Sequence, residues 1–237
     1  RRCSRVRILS PPLRVKGRNH THFYYNLDAV SRVKWEVISG IVYYKVLLIM
    51  NDTALIIVDI QNDFCKGGPL EVKNGEEVIR GLNEMIDKFH TEGKPVYATK
   101  DWHPLDHCSF QTNGGLWPVH CVQGTPGAGL HPELLIDDRV GIINKGTETG
   151  EEAYSGFDGT NFAEQLRENN ISKVIIGGLA TDYCIHGTTI GAIKNGFSTS
   201  VIEDLIRGVE LNPGDCANAT KEMKDAGAKF IQSSSLV

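Results

Sequence analysis

The feature that most constrains the fold is an alternation of short apolar runs with longer amphipathic segments, which begins at residue 54. Continuous apolar runs indicate strands buried on both faces, and helices between such strands indicate a parallel sheet covered on both sides. Right-handed crossovers then give an α/β fold, predicted here as a three-layer α/β/α sandwich around a central, mostly parallel six-stranded sheet. The six runs are ALIIVDI (54–60), PVYATKD (95–101), VGIINK (140–145), KVIIGGL (173–179), STSVIED (198–204) and AKFIQSS (228–234).

The first 49 residues do not share this pattern. Their apolar residues follow neither a sustained period of 2 nor one of 3.6. Because residues 1–27 are rich in Arg and contain no acidic residue, an organellar transit peptide is one interpretation. The interpretation favoured here is a translation that runs upstream of a start at Met50, or a cloning remnant. We therefore predict that 1–49 is a disordered extension or an artefact, and that 50–237 is the functional domain.

The charge and hydropathy of the chain argue against two classes of partner. Residues 1–49 carry ten Lys and Arg against Asp28 and Glu36, a balance of +8, so residues 50–237 carry −12 of the total of −4. Such an acidic domain argues against nucleic acid, because phosphate binding needs clustered Lys and Arg. The run ISGIVYYKVLLIM is interrupted by Lys45 and is shorter than the roughly 20 residues of a spanning helix, so we predict no membrane segment.

The cysteines indicate a reducing compartment, and a cytoplasmic location is the default expectation. They lie far apart, form no C-x-x-C pair and do not resemble the framework of a small disulfide-rich domain. They are Cys3, Cys65, Cys108, Cys121, Cys184 and Cys216.

Chemically capable side chains follow four of the predicted strands. The first run leads to Asp59, the second ends in Asp101, the third ends in Lys145, and the fourth leads through Ala180 to Cys184. In an open parallel sheet, ligands bind in the crevice beyond the carboxyl ends of the strands. The sequence therefore predicts a site that brings these side chains together at one edge of the sheet.

Cys184 is a candidate nucleophile only because of these neighbours, since a lone cysteine is more often a small, inert core residue. A helix capped by Thr181 or Asp182 would favour its thiolate, and Lys145 would lower its pKa further. Asp59 can serve as general base. Taken singly, Asp59 could merely cap a turn and Lys145 could be a solvated surface lysine; together at strand ends they favour catalysis.

An acyl transfer also needs donors for the oxyanion, and the backbone N–H groups of Ala180 and Cys184 are the candidates. Glycines at 177 and 178 allow the chain to approach its neighbours closely. A tight turn here is compatible with a strained, cis peptide between Leu179 and Ala180.

The long Gly-, Pro- and His-rich stretch 102–138 predicts a functional loop with a metal site. Asp101 and His103 alternate on an extended segment, and His120 could complete a His-His-carboxylate set that suits one divalent ion, zinc first and iron or manganese as alternatives. His107 is either a fourth ligand or a partner of a ligand. The competing interpretation is that these histidines only cap loops.

Five segments in order resemble the nicotinamidases of the isochorismatase-like cysteine hydrolases, which have a Rossmann-like fold. The resemblance implies a triad of Asp59, Lys145 and Cys184. It also implies a divalent metal on Asp101, His103 and His120 that binds the pyridine nitrogen of the substrate, directly or through ordered water. It also implies aromatic pocket walls at Phe64, Trp117 and Tyr154, for which ordinary core packing is the alternative. The segments are VDIQNDF (58–64), DWHPLDHCSF (101–110), WPVHCVQGTPGA (117–128), KGT with YSGF (145–157) and GLATDYC (178–184).

The function expected from this resemblance is hydrolysis of nicotinamide to nicotinate and ammonia through a cysteine thioester, in NAD salvage. Alternatives are another amide or carbamoyl hydrolase of the family, isochorismatase itself, or a silent module that binds nicotinamide or metal. The loop GTETGEEA (146–153) is more acidic than the family pattern, so the lid over the site can differ. The partner is a small molecule; a homo-oligomer is compatible with the sequence, and substrate breadth stays open.

Overall fold

The computed structural model describes residues 51–236 in full and, before them, only the backbone of four strands. These are β1 (Leu13–Gly17), β2 (His20–Leu27), β3 (Ser31–Ile38) and β4 (Ile41–Leu47), paired antiparallel in the order β1-β2-β3-β4. The chain divides into two compact units, Arg1–Met50 and Asn51–Val237. The origin of residues 1–49, and their assignment as a disordered extension or an artefact, stay predictions.

The second unit contains the predicted six-stranded sheet. Its order is β10-β9-β8-β5-β6-β7, and every neighbouring pair is parallel. Each strand lies on one of the six apolar runs, which confirms the predicted fold class. The strands are β5 (Thr53–Val58), β6 (Val96–Asp101), β7 (Val140–Lys145), β8 (Lys173–Leu179), β9 (Ser198–Arg207) and β10 (Lys229–Ile231).

Helices cover both faces of this sheet. Side chains alternate between the two faces along each strand, so successive residues of β5 pack in different cores. Leu55 and Ile57 of β5 pack in one core with α1 (Ile79–Thr91). Ala54, Ile56 and Val58 pack in a second core with residues of the other three helices. These helices are α2 (Phe162–Glu168), α3 (His186–Lys194) and α4 (Asp215–Asp225).

Burial of β5 is complete from Ala54 to Val58, which supports the three-layer arrangement. Leu55, Ile56 and Ile57 have no solvent-exposed surface. Each such side chain stabilises the fold by about 2 kcal/mol relative to an exposed position. Within residues 51–236, no helix has the length and apolar character that a membrane span requires.

The segment between β6 and β7 forms the predicted long loop. It contains one short 3₁₀ helix, Gln111–Asn113, and is held by isolated bridges that pair His103 with Val122 and Phe110 with Trp117. A further bridge joins Leu130 to Gln61, just beyond β5. The loop is thereby fixed at the carboxyl edge of the sheet, where the site residues lie.

Candidate active site

The register of the parallel strands brings the predicted residues to one edge. Asp101 and Lys145 are direct neighbours across β6 and β7, and Val58, which precedes Asp59, pairs with Gly178 of β8. Gly178 has φ +127°, and a Cβ atom there would lie 2.2 Å from the carbonyl oxygen of Val58. Only glycine therefore lets β8 approach β5 closely enough at this point.

Lys145 lies at the centre of the site and is 1% exposed, so it is not a solvated surface lysine. Its Nζ lies 3.0 Å from Asp59 Oδ2 and 3.3 Å from Cys184 Sγ, forms an ion pair with Asp101 Oδ1, and donates to the carbonyl oxygen of Ala153 at 3.2 Å. A buried ammonium is tolerated only when it is paired in this way. Burial disfavours its charge, but Asp101 and Asp59 outweigh that effect and raise the pKa of Lys145.

Asp59 is buried between a cation and a hydroxyl donor. Thr99 donates from Oγ1 to Asp59 Oδ1 at 2.6 Å, and Lys145 lies beside the other carboxylate oxygen. Burial raises the pKa of the Asp59 carboxyl, while Lys145 opposes the shift. A carboxyl group in this environment can accept a proton and return it, as a general acid and base must.

Cys184 lies on a π-helical turn, Thr181–Ile185, that leads into α3. Neither of the two predicted caps forms a capping hydrogen bond at this turn. The carboxylate of Asp182 instead accepts the backbone N–H groups of Val209 and Glu210, at 2.9 and 2.7 Å. The predicted capping by Thr181 or Asp182 is therefore wrong, because the Asp182 carboxylate binds backbone N–H groups of the loop after β9 instead.

The ionisation state of Cys184 also differs from the prediction. Burial raises the pKa of its thiol well above the ordinary value; Asp59 and Asp101 add to this effect, and Lys145 opposes it without reversing it. The resting group is thus a thiol, which needs a base to become a nucleophile. Sγ and one carboxylate oxygen each of Asp59 and Asp101 lie within 4.8 Å of one another, so a base is at hand.

The turn before Cys184 carries one of the two predicted oxyanion donors, the backbone N–H of Ala180. The peptide bond between Leu179 and Ala180 is cis. Within residues 51–236, the N–H of Ala180 meets no acceptor, although this residue is buried. An N–H group left free beside Cys184 is available to a ligand oxygen.

Asp101, His103 and His120 form the predicted cluster, with one ligand atom of each within 4.8 Å of the others. The Nδ1 of His103 donates to the carbonyl oxygen of Gly146 at 2.9 Å, and that of His120 donates to the carbonyl oxygen of Pro118 at 2.8 Å. Both Nε2 atoms are thereby left with a lone pair and lie 3.7 and 3.9 Å from the Asp101 carboxylate. This is the arrangement by which proteins hold histidine ligands of a metal, and the donor set suits zinc, iron or manganese.

The charge of Asp101 is secured by its neighbours. Burial alone would raise its pKa, but its charged neighbours, Lys145 first, outweigh burial and lower the pKa of the Asp101 carboxyl. Asp101 therefore remains a carboxylate, the form that both an ion pair and a metal require.

His107 lies beside this cluster but not in it. Its ring stacks on that of His103 with centroids 4.0 Å apart. Its Nδ1 is hydrogen-bonded to Ser109 Oγ at 2.7 Å and its Nε2 to the carbonyl oxygen of Glu151 at 3.0 Å. With both nitrogens engaged, His107 fits the predicted role as a partner of a ligand better than that of a fourth ligand.

An aromatic cavity with an empty volume of about 340 Å³, which includes space open to solvent, lies above Cys184. Phe64, Trp117 and Tyr154, the predicted walls, all line it. Trp117 donates from Nε1 to the hydroxyl of Tyr154 at 3.0 Å, and Tyr183 packs edge-on against Trp117 at 4.7 Å. The remaining lining residues are Leu70, Asp101, His120, Ala180 and Val209.

Sequence reasoning missed two residues of the site. Thr99 pairs with Val58 in the sheet, so its hydroxyl reaches Asp59, the residue after Val58. The pairing of the two predicted strands could have indicated this contact. Tyr183 adjoins Cys184 in sequence and lines the cavity. Its direction follows from the π-helical turn, for which the sequence carries no clear signal.

Comparison with known proteins places the chain in a family. The model of the Isochorismatase domain family matches residues 53–235, and the chain belongs to this family. Among the curated relatives is the nicotinamidase of Escherichia coli (strain K12), 38% identical over 200 residues that cover 76% of this chain and 94% of the relative.

Two solved structures are similar over nearly their whole length. The pyrazinamidase of Pyrococcus horikoshii in complex with zinc is 45% identical with a TM-score of 0.73, and the match covers 76% of this chain and 99% of that one. PnC1 from L. infantum in complex with nicotinate is 39% identical with a TM-score of 0.72, and the match covers 78% and 94%. The family and the fold predicted from the sequence are thereby confirmed.

Proposed function

We propose that this chain hydrolyses the carboxamide of nicotinamide to nicotinate and ammonia and so returns the pyridine ring to NAD synthesis. The observation that carries the proposal is the contact of the Cys184 thiol with Lys145, beside Asp59, beneath an aromatic cavity. The similarity to nicotinamidases supports the choice of substrate.

The first half of the reaction forms a thioester. As Cys184 Sγ attacks the amide carbon, Asp59 takes the thiol proton, and the carbonyl oxygen becomes an oxyanion. Lys145 lies within 3.3 Å of Sγ and 3.0 Å of Asp59, so its charge stabilises sulfur as the proton leaves. The N–H groups of Ala180 and Cys184 receive the oxyanion.

The second half restores the enzyme. The tetrahedral intermediate breaks its C–N bond, and Asp59 gives its proton to the departing nitrogen, which leaves as ammonia. Water then attacks the thioester carbon while Asp59 takes one of its protons. The C–S bond breaks, the proton on Asp59 returns to Cys184, and the product acid gives its remaining proton to the solvent and leaves as nicotinate. Thr99 holds Asp59 in place through both halves.

Asp101, His103 and His120 would hold one divalent ion, for which we propose zinc, with iron or manganese as alternatives. Such an ion supplies a Lewis-acidic centre for the ring nitrogen of the substrate. The chain's own contribution is orientation, because His120 and Asp101 line the same cavity as Cys184. A ring fixed at that end presents its carboxamide to the thiol.

The cavity favours a neutral aromatic amide over the alternatives. Phe64, Trp117 and Tyr154 line it, and such side chains suit a flat aromatic ring. Every position of the implied triad is present, which argues against a silent binding module. A cytoplasmic location and a homo-oligomeric state stay predictions.

Release of ammonia and nicotinate from nicotinamide by the metal-loaded full chain tests the proposal. We expect turnover that is lost after chelation, restored by zinc, iron or manganese, and absent from Cys184→Ala. A folded, metal-loaded chain that releases no ammonia from nicotinamide, but does from a carbamoyl compound, would contradict the assignment.

A further inference from the structure

Gln61 occupies a structural position that the reaction does not explain. It is fully buried, and its carboxamide forms three hydrogen bonds. Its Nε2 donates to the carbonyl oxygens of Asp101, at 2.8 Å, and of Ala128, at 3.0 Å. Its Oε1 accepts the backbone N–H of Asp101 at 2.8 Å. One side chain thus binds both backbone groups of Asp101.

The hydrogen bonds of Gln61 to Asp101 take the place of strand pairing, because β5 ends before it reaches Asp101 of β6. The pairing of β5 with β6 ends at Val58 and Thr99, and the chain then turns at Asp59, which has φ +50°. On its other side, Asp101 pairs with Lys145 of β7. Without Gln61, the buried backbone groups of Asp101 that face β5 would have no partner, and the last residue of β6 would be fixed from one side only.

Asp63 has a comparable role and lies just beyond Gln61 in the chain. Its Oδ2 accepts the backbone N–H of Cys121 at 2.7 Å, and Cys121 has a left-handed backbone with φ +46°. Gly127 packs directly against the same carboxylate, since a Cβ there would lie 2.2 Å from Asp63 Oδ1. Asp63 therefore fixes the bend that immediately follows His120.

We propose that Gln61 and Asp63 are positioning residues for the metal ligands: Gln61 fixes the backbone of Asp101, and Asp63 fixes the turn that carries His120. The inference rests on the proposed function, in which Asp101, His103 and His120 hold a divalent ion. Neither side chain needs to touch the ion or the substrate. Loss of such a supporting contact typically weakens metal affinity about 10- to 100-fold.

Zinc affinity of the full chain, measured by competition with a chromophoric chelator, provides the test without reference to turnover. Gln61→Glu keeps the size of the side chain but sets a carboxylate against the carbonyl oxygens of Asp101 and Ala128. We expect its zinc affinity to fall about 10- to 100-fold. Asp63→Ala should fall similarly, whereas Asp63→Asn keeps an acceptor for Cys121 and should stay within about threefold of the wild type.

Asn83 offers a matched control on α1. Its Nδ2 donates to the carbonyl oxygen of Glu133 and its Oδ1 accepts the N–H of Leu135, both at 2.8 Å, so it also brackets a backbone segment. Asn83→Asp should lower the melting temperature and leave zinc affinity at the wild-type value. A general loss of stability would instead lower affinity in both Asn83→Asp and Gln61→Glu, and would overturn the inference.

His103→Ala separates the inference from the proposed function. If the wild type binds no zinc, or His103→Ala binds it equally well, the proposed metal site is wrong. If His103→Ala loses zinc while folded Gln61→Glu and Asp63→Ala both keep wild-type affinity, the metal site stands and the positioning role is wrong. Should Gln61→Glu fail to fold, the difference between Asp63→Ala and Asp63→Asn decides the matter.

Discussion

Two histidine-containing clusters in the described residues have the side-chain types of a metal site, and they differ in burial. Asp101, His103 and His120 are all buried, whereas the cluster of Cys65, Glu76 and His131 combines one buried, one exposed and one half-buried residue. In each cluster the candidate ligand atoms lie within 4.8 Å of one another. Residue types and the distances between candidate ligand atoms therefore do not distinguish a metal site from a cluster that only has the same side chains.

The hydrogen-bond partner of Nδ1 on each histidine does distinguish the two clusters. His103 and His120 donate from Nδ1 to backbone carbonyl oxygens, which leaves Nε2 with a lone pair. His131 instead accepts the backbone N–H of Glu133 at Nδ1, at 3.3 Å, so its Nε2 carries the proton and faces Glu76 Oε1 at 3.8 Å. The backbone around a histidine thus decides whether it can bind a metal.

The largest expected effect is a contrast between two cysteines: Cys184, which lies beside the first cluster, and Cys65, which belongs to the second. Cys184→Ala should lower the turnover of nicotinamide by more than about 10³-fold, because the thioester cannot form. Cys65→Ala removes another buried thiol and should leave turnover within about twofold of the wild type. Ammonia release at saturating nicotinamide measures both. Equal losses in the two variants would mean that Cys184 acts through packing rather than as the nucleophile.

The histidines give the next contrast. His103→Ala should reduce bound metal from about one ion per chain to a small fraction and lower turnover by about 10²-fold. His131→Ala should keep full metal content, since His131 presents a proton rather than a lone pair. Elemental analysis after dialysis against zinc and then metal-free buffer reports the content. Loss of metal from His131→Ala would overturn the tautomer criterion.

A smaller effect is expected at the cavity wall. Trp117→Phe keeps an aromatic wall but removes the hydrogen bond to the Tyr154 hydroxyl, so KM should rise about 2- to 10-fold with little change in kcat. Initial rates over a range of nicotinamide concentrations separate the two constants. An unchanged KM with a reduced kcat would place Trp117 in the chemical step instead.

The smallest effect concerns the ionisation of Cys65. Burial raises the pKa of its thiol from 9.0 to about 11, with Glu76 and Glu71 adding to the shift. Because only the thiolate is alkylated, the labelling rate of Cys65 should still rise tenfold per pH unit at about pH 9, without a plateau. Added zinc should not protect it. Quantitative mass spectrometry of the labelled peptide measures the rate; protection by zinc would indicate a metal at the second cluster.

The same shift predicts how this thiol contributes to stability. The folded pKa of Cys65 lies above the unfolded value, so its contribution is fully present below about pH 9 and is lost as pH rises towards about pH 11. The difference in melting temperature between the wild type and Cys65→Ala should therefore shrink as the solution becomes alkaline. A difference that grows with pH would contradict the direction of the shift.

Local sequence patterns predicted the site residues whose position depends on where strands end. Asp59, Asp101 and Lys145 each end or follow an apolar run, and parallel pairing aligns the ends of such runs at one edge. The alternation of Asp101 and His103 on one extended segment was also readable. For each of these residues, the position follows from an apolar run in the sequence and from the alignment of parallel strand ends at one edge of the sheet.

Features that depend on distant partners could not be predicted. Asp182 has the chemistry of a helix cap, but its carboxylate binds the loop at Val209 and Glu210. The dipole argument for a Cys184 thiolate was outweighed by burial, which only the folded chain defines. The three bonds of Gln61 join segments 40 and 67 residues away. Local pattern carries no information on such contacts.

The most direct test of the central claim is anomalous diffraction at the zinc absorption edge from crystals of the full chain grown with zinc and nicotinate. We expect one strong peak about 2.0–2.2 Å from His103 Nε2, His120 Nε2 and an Asp101 oxygen, with the ring of nicotinate in the cavity beside Cys184. We expect no peak between Cys65, Glu76 and His131. A peak at that second cluster, or none at the first, would contradict the proposed metal site.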